Sequence, residues 1–266
     1  MKTRLRFASF LAPNMFPVYR FIADYVGDRL GIQTDLATGL SFDQFAAGTV
    51  DAGFICGLPY VRLTRQTPAS VEAIAAPVLL GERYQGRPIY FSDVIVRRDR
   101  PFRSFVDLRG CTWSYNDPES QSGYGITRYW LVRMGETAGF FGKVVEAGFH
   151  QRSIRLVCSG EADASAIDSQ VLAIELREHP DLASQLKVID SLGPSTIQPV
   201  VAATSLPDTL KSDLAAALVE MEHDPAAREH LAWGCVASFA RVDDRAYNDI
   251  REMLAAVEAE QFLVLK

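Results

Sequence analysis

The chain has 266 residues, of which 48% are hydrophobic and 23% charged, with a formal net charge of −6. That composition excludes a disordered or fibrous chain and fits one large domain or two lobes of roughly 100 to 150 residues each. The acidic balance, with no basic run beyond pairs such as Arg97-Arg98, excludes a nucleic-acid footprint, and no apolar stretch reaches the ~18 to 20 residues of a membrane span.

The start, "MKTRLRFASFLAP", sets basic residues before apolar ones, but its uncharged stretch Phe7–Pro13 is short and no small-x-small cleavage site follows. The reading is a first strand at Leu5–Leu11, with no export signal in the chain as written. Val18, Phe21, Ile22, Tyr25, Val26 and Leu30 then recur at helical spacing, and Gly31 closes that helix. "IQTDLAT" reads as a second strand, "SFDQFAAG" as a short helix capped by Ser41, and "VDAGFICG" as a central third strand ending in the loop "GLPY". "AIAAPVLL" and "IYFSDVIVRRD" follow, and Ser104 starts a turn of helix. The pattern then restarts: strand "CTWSYN", helix "SGYGITRYWLVRMG", strand "VVEAGF", helix "HQRSIRLVCSG", strand "ADASAIDS", helix "QVLAIELREHP" and strand "LKVIDSLG". A β-rich return, "IQPVVAAT", precedes three helices starting near Pro207, Pro225 and Asp243.

Alternation of strands and helices predicts mostly parallel α/β sheets. The restart predicts two lobes, residues 1–97 with 199–266 and an inserted 98–198. The crossings fall near Arg97–Arg100 and Leu192–Pro199, and the joining strands would act as a hinge beside a ligand cleft. Cys56, Cys111, Cys158 and Cys235 are widely spaced, with no C-x-x-C and no Cys/His cluster, so they read as small buried apolar residues rather than a disulfide framework or metal site.

The stretch "NDPESQSGYG", residues 116–125, places small and polar side chains just where a helix begins. One reading is capping by Asp117 or Ser120, with Pro118 in the first turn. The other is an anion cradle. Ser120 and Ser122 offer hydroxyl donors, Gly123 permits close backbone approach, and the first-turn N–H groups point at the ligand from the positive end of the helix dipole.

The ordered motifs "VDAGFICGLPY", "YFSDVIVRRD", "FVDLRGCTWSYNDPESQSGY", "HQRSIRLVCSGEADASAID" and "LPDTLKSDL" resemble the phosphonate-binding family of substrate-binding proteins that serve ABC transporters. The resemblance runs from about Leu5 to about Leu218. It implies the type II periplasmic-binding-protein fold: two lobes, each a mixed sheet flanked by helices, joined by a two-strand hinge. It also implies an oxyanion cradle of Ser-Thr-Ser after Asp-Pro. Here Asp117-Pro118, Ser120 and Ser122 match, and Gln121 replaces the threonine, a longer side chain that would narrow the cradle. A family histidine that reaches the same oxyanion falls on His150, and an acidic residue closing the far end of the pocket falls on Asp168. The aromatic wall includes Tyr90, with Tyr60 beside the cleft, and Phe42 stands where relatives carry a tyrosine. A charged His150 would strengthen an anion contact, and Asp168 would pair with an ammonium, which favours a zwitterion such as an aminoalkylphosphonate. Each assignment has a structural alternative. His150 would otherwise face solvent, Asp168 would cap the helix "QVLAIELRE", and Tyr60 and Tyr90 would pack in cores.

The function implied is a monomeric, non-enzymatic solute-binding protein that closes on a small oxyanion, using no cofactor or metal and delivering to an ABC permease if exported. It neither binds nucleic acid nor inserts in the membrane. The family is periplasmic, while the start of the chain as written leaves the cytoplasm open. No Walker loop, G-x-G-x-x-G after a strand, or metal triad points to catalysis. A cytoplasmic ligand sensor and a biosynthetic enzyme on the same fold, with His150 and Asp168 as acid and base, are the alternatives. Phosphonate, phosphite, phosphate, sulfonate and carboxylate all remain open as the ligand.

Overall fold

The computed structural model describes residues 3–266; Met1 and Lys2, which open the basic start read above, lie outside the described residues. The chain divides into two compact units, one formed by residues up to Ile89 with Thr196–Asn248 and the other by Tyr90–Ser195 with Asp249–Lys266.

The first unit begins with β1 (Arg4–Ser9), α1 (Phe16–Leu30), β2 (Gln33–Thr38), α2 (Asp43–Ala46), β3 (Ala52–Phe54), α3 (Gly57–Thr64) and β4 (Val71–Leu79). The chain then builds the second unit with β5 (Ile89–Arg97), β6 (Thr112–Tyr115), α4 (Ile126–Arg133), β7 (Lys143–Glu146), α5 (His150–Ser159), β8 (Ala164–Asp168), α6 (Ser169–Glu178), α7 (Pro180–Gln185) and β9 (Leu186–Thr196). It returns to the first with β10 (Val200–Ala203), α8 (Asp208–Glu220), α9 (Pro225–Trp233) and β11 (Val236–Ala240), and ends with α10 (Asn248–Ala259).

In the first unit the strand order is β11-β4-β10-β3-β1-β2. β1 runs parallel to β2 and β3, while β10 runs antiparallel to β3 and β4, so the sheet is mixed. Val18, Ile22 and Val26 of α1, spaced four apart, are buried, and Gly31 ends the helix in the left-handed region at φ 64°. Gly53 is required inside β3, because a Cβ there would stand 2.7 Å from the Ala8 carbonyl oxygen.

The second sheet has the order β7-β6-β8-β5-β9. Period-two alternation assigns its two faces. Val94, Val96, Trp113, Ala164 and Ala166 join one buried cluster with Phe105, Phe140 and Leu131, whereas Ile95 and Ile167 pack with Ile154, Val157 and Leu172.

Several expectations are corrected. The "GLPY" loop is the first turn of α3, since Leu58, Tyr60, Val61 and Leu63 together bury a helical face. α7 and the edge strand β11 had no signal strong enough to be read. β11 becomes a strand by pairing with the distant β4. The first passage between units falls at Ile89/Tyr90 rather than near Arg97, because β5 already pairs inside the second sheet from Ser92 to Val96. The segment 249–266 also packs with the second unit, not the first: Met253, Val257, Phe262 and Leu265 lie in the cluster around Trp113. The four cysteines are partly exposed and form no disulfide. Among the described residues no helix is long and apolar enough to cross a membrane.

Candidate functional site

In the second unit, β6 ends at Tyr115 and residues 116–119 turn the chain, with Glu119 N–H donating to Asp117 Oδ1 (2.7 Å) and Ser120 N–H to the Asp117 carbonyl (3.0 Å). Pro118 lies in this turn, ahead of the helix. The helix itself opens as a π-turn over Gln121–Gly125 before continuing as α4. Gly125 N–H reaches back five residues to the Ser120 carbonyl (2.9 Å), where an α-helical start would have used Tyr124 N–H. The wider turn therefore shifts the first intrahelical donor one residue along the chain and lengthens the open N-terminal end. Ser120 is the cap, its Oγ accepting from Gly123 N–H (3.1 Å). A Cβ at position 123 would sit 1.9 Å from Asn116 Oδ1, so any larger residue there would have to displace the Asn116 side chain.

Three buried side chains meet at this end. Ser120 Oγ lies 3.2 Å from Ser122 Oγ, and Ser122 Oγ lies 2.9 Å from His150 Nε2. His150 is the first residue of α5, which has no side-chain cap, and it is 5% exposed rather than facing solvent. Burial pushes its imidazole down to about 3, so the ring is neutral near pH 7. This replaces the expected charge assistance with a neutral hydrogen bond. If Nε2 carries the proton and donates to Ser122 Oγ, one serine hydroxyl proton serves the Ser120–Ser122 hydrogen bond and the other stays available to a bound acceptor. Among the described residues Nδ1 has no partner, nor have Asn116 Oδ1 and the Gln151 amide. Neither Asn116 nor Gln151 was singled out by itself from the sequence: Asn116 opens the stretch 116–125, and Gln151 follows His150.

The other expected residues have contacts of their own. Gln121 does not narrow the turn: its Nε2 is directed to Met253 Sδ (3.2 Å) and Ser195 Oγ (3.5 Å). Asp168 caps α6, its Oδ1 accepting from the backbone N–H of Gln170 (2.8 Å) and Val171 (3.3 Å). Tyr90 is buried at the start of β5 in the same unit. Tyr60 belongs to the core of the first unit, where its hydroxyl donates to Asp244 Oδ1 (3.0 Å) and accepts from Ala73 N–H (3.3 Å), and its ring packs 4.6 Å from Tyr247. Phe42, also in the first unit, stacks on Phe10 at 4.6 Å.

A protein-family model described as "ABC transporter, phosphonate, periplasmic substrate-binding protein" matches residues 8–247. The chain belongs to this family. It is therefore a solute-binding protein of the ABC phosphonate-transporter type, a family of periplasmic substrate-binding proteins. Among solved structures it is similar to PhnD1 of Prochlorococcus marinus in complex with methylphosphonate, with a TM-score of 0.83 and 18% identity over 96% of this chain and 98% of that one. A binding component of an ABC phosphonate transporter from Pseudomonas aeruginosa is similar at a TM-score of 0.81 and 18% identity, covering 95% and 86% of the two chains. A Xanthomonas citri protein bound to ATP is similar at a TM-score of 0.72 and 19% identity, covering 99% and 100%. At these identities the structures speak for the fold: two-lobed α/β, with a mixed sheet flanked by helices in each unit.

Proposed function

We propose that the phosphonate-family chain binds a small tetrahedral oxyanion at the π-turn of the second unit and delivers it to an ABC permease. Ser120, Ser122 and the first-turn amides donate to the anion, and His150 acts as a neutral donor behind Ser122. The observation that carries this reading is the buried line Ser120 Oγ–Ser122 Oγ–His150 Nε2 at an open helix start. Its members take no cationic or anionic side chain as a partner among the described residues. Oriented dipoles and hydroxyls suit an anion of several acceptor oxygens without adding a buried charge that would need compensation when the site is empty. The methylphosphonate in the similar Prochlorococcus protein supports the phosphonate end of this class.

Thermal-shift and calorimetric titration of the purified chain tests the reading. The panel comprises methylphosphonate, 2-aminoethylphosphonate, phosphite, phosphate, sulfate, acetate and, because of the similar Xanthomonas protein, ATP. A phosphorus oxyanion is expected to stabilise the fold by about 2.7 kcal/mol at a hundred times its Kd. Stabilisation by acetate alone, or by no member of the panel, overturns the assignment.

A further inference from the structure

The helix that opens with Ser120 has a second buried face. Gln121, Tyr124 and Arg128, spaced three and four apart, lie on one side of it and are 1%, 5% and 3% exposed. Each is tied to the segment 249–266. Gln121 Nε2 meets Met253 Sδ at 3.2 Å. Tyr124 OH accepts from Leu265 N–H (3.1 Å) and donates to the Leu263 carbonyl (3.4 Å). Arg128 Nη1 donates to the carbonyls of Phe262 (3.2 Å) and Leu263 (2.9 Å), and its guanidinium lies 4.4 Å above the Tyr124 ring. Phe262 and Leu265 are buried in the cluster around Trp113, and Gly139 N–H donates to the Lys266 carbonyl (3.0 Å), so the strap is anchored at both ends.

We infer that Arg128 and Tyr124 are positioning residues: they clamp the helix to the strap 262–266, Gln121 adds a contact to Met253 of α10, and together these set the rotation of the π-turn that presents Ser120, Ser122 and Gly123. A π-turn is held by weaker local pairing than an α-helical turn, so its rotation needs an outside reference. A planar guanidinium whose Nη1 reaches two successive carbonyls while its face rests on an aromatic ring supplies one, and a lysine has no planar group to rest there. The glutamine that stands where the resemblance has threonine belongs to this clamp rather than to the donor set. The inference rests on the π-turn being the ligand site, but its first readout does not.

The test compares Arg128→Lys and Tyr124→Phe in the full chain with Leu172→Ala, which thins the cluster on the other face of the sheet. The ¹H–¹⁵N resonances of the Gly123 amide and the His150 imidazole are recorded without ligand, and methylphosphonate affinity is measured well below the Tm. Both clamp variants are expected to move the Gly123 and His150 resonances and weaken methylphosphonate binding by roughly fivefold. Leu172→Ala is expected to lower the Tm while leaving resonances and affinity in place. Unmoved resonances in both clamp variants, or equal movement in Leu172→Ala, overturn the clamp. If Arg128→Lys does not fold, Tyr124→Phe decides alone. If the unaltered chain does not bind methylphosphonate, the functional reading loses its probe while the resonances still decide the clamp.

Discussion

Two helix starts in the second unit answer the same electrostatic problem in opposite ways. At α6 the carboxylate of Asp168 accepts from two first-turn amides, so the positive end of that helix already holds its own anion. At the π-turn the cap is the neutral hydroxyl of Ser120, which takes one amide and is linked onward to Ser122 and His150. The first arrangement is complete as it stands. The second offers hydrogen-bond donors without charge, and this is why we propose it as the place where an oxyanion binds. A helix N-terminus whose own sequence has not supplied a counter-charge is therefore the better candidate for a ligand site.

That contrast can be broken at either helix. Replacing both hydroxyls, Ser120→Ala with Ser122→Ala, is expected to weaken oxyanion binding by ~2 to 3 kcal/mol in titration calorimetry, at ~1 to 1.5 per hydrogen bond. Unchanged affinity would mean the hydroxyls serve the fold alone. At the other helix, Asp168→Ala should cost about 2 kcal/mol of stability in urea melts, while Asp168→Asn, which still caps, costs less. A selective loss of 2-aminoethylphosphonate against methylphosphonate in Asp168→Asn would instead show a carboxylate reading an ammonium.

His150 sharpens the comparison through pH. Its imidazole titrates at about 3 in the fold against an ordinary 6.5, so between those values the unfolded chain binds a proton that the folded chain does not. Its contribution is complete above 6.5 and is lost as pH falls from there towards 3, by ~1.4 kcal/mol per unit. His150→Gln should flatten that part of the stability profile measured by urea unfolding. The smallest effect is expected at Tyr60→Phe, which removes the hydroxyl bonded to Asp244 and Ala73 in the first unit. A loss of about 1 kcal/mol in stability with unaltered ligand affinity would assign Tyr60 to the core.

Local pattern made much of this legible. The amphipathic spacing of α1 with its Gly31 stop, and the strand and helix pair around 112–133, are nearest-neighbour properties that a sequence carries on its surface. "NDPESQSGYG" likewise carried the hydroxyls and the glycine of the candidate site. The donor trio itself depended on a resemblance for His150, because nothing local links residue 150 to residue 122. The π-turn, Asn116 and the neutral state of His150 had no local signature. They depend on burial and on contacts made from other elements.

The sequence by itself determined the α/β class, the order of most elements and the family, since periodicity, caps and motif order are written along the chain. Tertiary structure alone decided that Tyr60 packs in the core of the first unit, that β11 is a strand and that residues 249–266 brace the second unit. Each of those depends on which partner lies across space, and residues separated by a hundred or more positions meet only when the whole fold brings them together.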